Sequence, residues 1–135
     1  MFYEFDLTIP ANTPKSAPAE LEVFLSAGIV KQVEIQIPRG CRSLVHTIAV
    51  RGIHQVWPSN PDGSHKGDDA RIVFNEDYDL VDPPHGFMLR GWSPDTSYIH
   101  VVTWRFQVVV VPVSEVKQPV KKKGILSALM NKGGS

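Results

Sequence analysis

The stretch YIHVVTWRFQVVVV, from Tyr98 to Val111, decides the fold class. Tyr98, His100, Val102, Trp104, Phe106, Val108 and Val110 alternate with Ile99, Val101, Thr103, Arg105, Gln107, Val109 and Val111. A period of two sends successive side chains to opposite faces of an extended chain, and β-branched and aromatic residues pack well on such a pleated surface. The row holding Trp104 and Phe106 is expected to face a core, and Thr103, Arg105 and Gln107 to face water. Beyond Gln107 both rows are apolar.

The same alternation recurs upstream. Tyr3, Phe5, Leu7 and Ile9 share one side, with Glu4, Asp6 and Thr8 on the other. Pro10, Pro14 and Pro18 then forbid regular structure. Leu21, Val23 and Leu25 predict a second strand, and Ala27-Gly28 a turn into Val33, Ile35 and Ile37, with Gln32, Glu34 and Gln36 facing water. Leu44, His46, Ile48 and Val50 oppose Val45, Thr47, Ala49 and Arg51, a strand covered on both faces; Ile53 to Trp57 is a short fifth. Pro58 to Asp69 is loop chemistry. Ile72 and Phe74 return to strand, the acidic stretch Glu76 to Asp82 leads to Pro83-Pro84, and Phe87 to Trp92 is one more strand before the last. About eight strands with no helical period before residue 120 predict an all-β, antiparallel β-sandwich of jelly-roll type, an immunoglobulin-like sandwich being the other arrangement.

The division expected is a sandwich domain over residues 1–115 and a flexible basic C-terminal arm over 116–135. With 42% apolar and 21% charged residues in 135, one core is expected. The formal charge is zero, yet Lys117 to Ser135 holds five lysines and no acid, against nine basic and fourteen acidic residues before it. Such a like-charged end marks a partner-seeking arm. In the arm, Lys121, Lys122 and Lys123 precede Ile125, Leu126, Leu129 and Met130, an apolar stripe at helical spacing and too short to be stable alone. It is expected to order against another copy of the chain or another protein.

The start of the chain has neither the cationic nor the continuous apolar segment of a signal peptide, so synthesis in a cytoplasm is expected. The longest apolar run, Val108 to Val113, contains Pro112 and falls short of a membrane span. Cys41 is the only cysteine, so no disulfide forms within the chain.

Catalytic signatures are lacking. His46, His54, His65, His85 and His100 have no metal-ligand spacing, and the close histidines and following glutamate of a cupin metal site are absent; neither metal nor cofactor is expected, and a cupin-like metalloenzyme is the third-ranked reading. Asn60, Asp62, Asp68 and Asp69, with Gly63 and Gly67, are oxygen donors in a pliant loop, but their order departs from a calcium loop and suits turns. Cys41 lies between Arg39 and Arg42, which would activate an exposed thiol; a buried small side chain is the commoner role. Among the aromatics, Trp104 belongs to the core, whereas Trp57 and Trp92 end strands beside loops and are candidates for binding a sugar or for capping the core. No aromatics interleave with the arm lysines and the body is acidic, so sequence-specific nucleic-acid binding is not expected.

The stretch His54-Gln55-Val56-Trp57-Pro58-Ser59-Asn60-Pro61-Asp62-Gly63, with Pro83-Pro84 and the strand Tyr98 to Phe106, resembles small β-sandwich proteins of bacteriophage and prophage structural regions. The resemblance covers roughly residues 1 to 112 and excludes the arm. It implies a non-enzymatic virion component, a capsid decoration or minor capsid protein, present as symmetric homo-oligomers. The arm would then dock on other copies, on a capsid protein or on a scaffold protein. The alternative expectation is a carbohydrate- or receptor-binding module using Trp57, Trp92 and the loop after Trp57.

Overall fold

The computed structural model describes residues 1–110. The chain forms eight strands: β1 (Phe2–Ile9), β2 (Ala19–Phe24), β3 (Gly28–Ile37), β4 (His46–Arg51), β5 (His54–Trp57), β6 (Ala70–Asp79), β7 (Gly86–Trp92) and β8 (His100–Val110). They make two four-stranded sheets, ordered β1-β8-β3-β6 and β2-β7-β4-β5, with every pairing antiparallel. The first strand pairs with the last, the second with the seventh, the third with the sixth and the fourth with the fifth. That is a long hairpin folded over on itself, the jelly-roll topology the strand count suggested.

Between the sheets lie Leu7, Ile9, Val33, Ile35, Ile37, Leu89, Val102 and Val108, with an aromatic centre of Trp57, Phe87, Trp104 and Phe106. The Phe87 and Phe106 rings stack at 5.8 Å and 10°. Trp57 meets Phe74, Tyr78, Phe87 and Phe106 at 5.1–6.2 Å between centroids. A polar tie joins the sheets: the Trp104 indole N–H donates to Thr47 Oγ1 (3.0 Å), whose hydroxyl donates to the Arg90 carbonyl (2.8 Å).

The outer face of the first sheet is polar. Register sets Glu4, Arg105 and Glu34 in one row, and the guanidinium of Arg105 contacts both carboxylates (2.8 and 2.6 Å), while Arg71 reaches Glu34 at 2.9 Å. The Arg71 hydrogen bond, and then that of Arg105, outweigh desolvation and hold the Glu34 carboxyl below its usual range. A bulge between Val30 and Gln32 sets Lys31 beside Asp77.

Several boundaries differ from the sequence reading, three of them with a clear cause. β6 runs through the acidic stretch to Asp79, because Glu76 and Tyr78 continue the inward row of Ile72 and Phe74 while Asp77 and Asp79 face water; the Trp57 indole N–H donates to the inward Glu76 carboxylate (2.8 Å). β4 starts at His46 rather than Leu44, after a turn in which Leu44 N–H donates to the Cys41 carbonyl. β8 starts at His100, leaving Tyr98 and Ile99 exposed in the preceding turn.

Candidate functional site

The arm residues Lys121, Lys122, Lys123, Ile125, Leu126, Leu129 and Met130 lie outside the described residues. The last described residue, Val110, pairs with Gly28. Around that end stand exposed apolar side chains: Met1, Phe2, Phe24, Ile53, Val109 and Val110, with Ile53 94% exposed. Phe24 closes β2 opposite Gly86, and Val109 lines a shallow groove with Lys31, Asn75, Glu76, Asp77 and Gln107. The acidic end of β6 and this apolar rim are therefore neighbours.

Trp57 and Trp92 are not brought together. Trp57 is only 2% exposed and belongs to the core, its ring enclosed by four aromatic neighbours and its N–H bound by Glu76, so its candidacy as a binding platform is corrected. Trp92, at the end of β7, is on the opposite, outer face of the second sheet and is itself only 7% exposed, with His46 stacked on one side of its ring and Lys15 over the other.

That outer face has its own chemistry. The pleat turns Glu20 and Glu22 of β2, Met88, Arg90 and Trp92 of β7, and His46, Ile48 and Val50 of β4 outward, and register aligns Glu20 with Arg90 and Ile48, and Trp92 with His46. The His46 and Trp92 rings stack at 5.5 Å and 5°. Ile48, Val50 and Trp92 form a second, small apolar cluster with Met88. A cleft of about 380 Å³ opens over it, lined by Lys15, Ser16 and Pro18 on one side, Gln55, Pro61 and Gly63 on the other, with Glu20, Ile48, Arg90 and Trp92 between them.

Both loop walls are held in place. The proline-rich loop is stitched to the turn before β8 by Asn12 N–H to the Thr96 carbonyl (2.8 Å) and Ser93 N–H to the Thr13 carbonyl (2.9 Å). On the other wall, Gln55 Nε2 sits 2.9–3.1 Å from the carbonyl oxygens of Pro58, Asn60 and Gly63. His46 Nδ1 and Ser64 Oγ are 2.8 Å apart, and Thr47 and His65 exchange backbone hydrogen bonds. At Gly63 a Cβ would lie 2.3 Å from the exposed Asn60 side chain, which would have to move aside.

Within the cleft, Arg90 Nε–H donates to Glu20 Oε2 at 2.7 Å, and the ammonium of Lys15 is 5.4 Å from the Trp92 ring centroid. Neither Nη atom of Arg90 nor the indole N–H of Trp92 has a hydrogen-bond partner among the described residues, and neither side chain holds a sealed orphan atom. Burial first, then the positive charges of Lys66 and Lys15, push the His46 imidazole below its usual pKa, with Asp95 opposing. His46 is thus a neutral ring at neutral pH. Lys15, Glu20, Ile48, Gln55 and Arg90 escaped the sequence reading, because outward alternation marks them only as surface; strand register and two distant loops bring them to one place.

Cys41 Sγ lies 3.6 Å from His100 Nδ1, and Thr96 Oγ1 lies 3.3 Å from His100 Nε2. The arrangement has the outline of a thiol and its base, but Cys41 is fully buried, and burial followed by the nearby Asp68 charge pushes its pKa to about 11. At neutral pH it is a protonated thiol, the buried small side chain that the sequence favoured over a thiol activated by Arg39 and Arg42. Asp68 accepts from the N–H groups of Gly40 (2.7 Å) and Arg42 (3.0 Å), and Asp69 pairs with Arg39 at 3.6 Å. These two loop acids fasten neighbouring turns. Among the described residues no group of three His, Cys, Asp or Glu side chains is placed to hold a metal ion, and no helix is long and apolar enough to cross a membrane.

No protein-family model matches the chain, and no curated protein matches it significantly.

Proposed function

We propose that this protein is a non-enzymatic assembly component that joins copies of itself through the end of the sandwich from which the basic arm departs. The observation carrying the reading is the set of exposed apolar side chains at the strand ends near Val110: Met1, Phe2, Phe24, Ile53, Val109 and Val110. Large exposed apolar side chains grouped in one region of a folded domain mark contact surfaces. The acidic groups Glu76, Asp77, Asp79 and Asp82 lie along the same end, and the chain beyond it carries five lysines and no acid from Lys117 onward. Opposite charges at the two parts favour pairing between copies, and repeated weak arm contacts add through effective concentration. The specific setting we propose is a virion, with the chain as a capsid decoration or minor capsid protein; this rests on the resemblance described above and on a jelly-roll body that presents a polar sheet face and an apolar end.

Two exposed positions test the reading without disturbing the core. The double substitution Phe24→Glu and Val109→Glu places charge on the apolar end, and sedimentation velocity of the full chain should shift from an oligomer to a monomer. An unchanged sedimentation coefficient would remove that end from the assembly.

A further inference from the structure

The cleft on the outer face of the second sheet has no part in that assembly reading. Its side-chain polar atoms without a partner among the described residues include several donors, the two Nη groups of Arg90, the indole N–H of Trp92 and the ammonium of Lys15, beside the second carboxylate oxygen of Glu20, the amide oxygen of Gln55 and the Ser16 hydroxyl. The one carboxylate in the lining, Glu20, is paired with Arg90 Nε, fixing the guanidinium so that its remaining nitrogens stay available. Together the lining residues carry a net positive charge on a body in which acids outnumber bases. Set donors beside an aromatic ring, in a cleft of this volume and between walls already held in place, make a recognition site for a small oxygen-rich anion.

We propose that this cleft binds an acidic saccharide, a pyranose ring carrying a carboxylate. The carboxylate would take the free fork of Arg90, for which a planar two-oxygen acceptor is the best geometric match. The sugar ring would lie over the Trp92 face now covered by Lys15, since the opposite face is occupied by His46. Lys15 is exposed, and an exposed cation over a ring is held by only about 0.5–1 kcal/mol, so a ligand displaces it at small cost and gains its ammonium as a second donor. Gln55, with its amide nitrogen committed to three carbonyls, keeps the Pro61–Gly63 wall in place rather than touching the sugar.

The test uses the full-length protein and its indole N–H signals in ¹H–¹⁵N spectra. Those of Trp57 and Trp104 are hydrogen-bonded in the core, so the Trp92 signal is the tryptophan resonance that exchanges first in D₂O. Sialyllactose and an oligogalacturonate serve as acidic probes, and lactose as the neutral control. The expected result is a saturating shift of the Trp92 signal with at least one acidic probe, at a Kd on the order of 1 mM or tighter, with no response to lactose. Arg90→Gln, a substitution at the surface, should weaken that binding by about tenfold or more. No shift with either acidic probe up to about 10 mM, an equal response to lactose, or unchanged affinity in Arg90→Gln would each overturn the assignment. None of these outcomes touches the oligomeric state, so this proposal and the assembly reading fail separately.

Discussion

Thr47 is a small residue with a large structural role. Its hydroxyl accepts from the indole of Trp104 and donates to the Arg90 carbonyl, so a fully buried aromatic of β8 is tied to β4 and β7 through one oxygen. Thr47→Val keeps the shape and removes the acceptor, leaving the Trp104 N–H unpaired in the core, which should cost about 1–3 kcal/mol. Urea unfolding monitored by fluorescence checks this, and a loss below about 0.5 kcal/mol would mean the indole finds another partner. His65 offers the opposite case: its ring stacks on Phe74 and meets Trp104, while Nε2 is buried without a partner. Burial holds its pKa below the usual 6.5, and His46 is lowered as well. The unfolded chain then takes up protons near pH 6.5 that the folded chain refuses, so stability present above 6.5 is lost as pH falls below it. Glu34, whose folded pKa is depressed below 4.5, adds a second loss as pH falls through that lower value. The thermal midpoint should therefore decline in two windows, and His65→Phe should make the first shallower, leaving the share of His46, without changing the second. An identical pH profile for His65→Phe would show that the first window belongs to other groups.

At the scale of elements, the strands were legible and several of their partners were not. Trp104, Phe106 and the alternating row of β8 could be assigned inward from the sequence, as could both covered faces of β4. The extension of β6 was hidden because Glu76 sits on the inward row, where a carboxylate is unexpected until the indole of Trp57 is seen to need an acceptor. Trp57 was left open between a platform and a cap of the core, because its place at the end of a short strand beside a proline says nothing of which face it takes. The cleft around Trp92 depends on β2, β4 and β7 being neighbours, and on loops separated by some forty residues meeting across them, information carried by topology rather than by local pattern. Contact between the sheets has its own tight point at Gly91, where a Cβ would lie 2.3 Å from Ile9 Cδ1 and 3.1 Å from Leu7 Cδ2. Both neighbours are fully enclosed, so Gly91→Ala should destabilise by about 1–3 kcal/mol. Adding Ile9→Val removes the nearer clash, at Cδ1, and leaves the one at Cγ1 (2.8 Å), so the pair should be less destabilised than the sum of the single substitutions. Strict additivity in the double-mutant cycle would locate the strain elsewhere.

For the whole molecule, the decisive feature is the separation of charge and polarity along its length. One sheet presents an ion-paired, water-facing surface through Glu4, Arg105, Glu34 and Arg71; the other carries the cleft; the end near Val110 is apolar and bordered by acids. The sequence disclosed the opposed charges of body and arm but not the apolar end, since Phe2, Phe24, Ile53 and Val109 are distant in the chain and each alone is an ordinary surface residue. Joining copies through that end and the arm is the central claim. Light scattering on the full-length protein, beside a version ending at Val116, tests it most directly. The account predicts a closed oligomer of defined mass for the full chain and a folded, smaller species for the shortened one. A monomer in both forms, at concentrations up to about 100 μM, would contradict it.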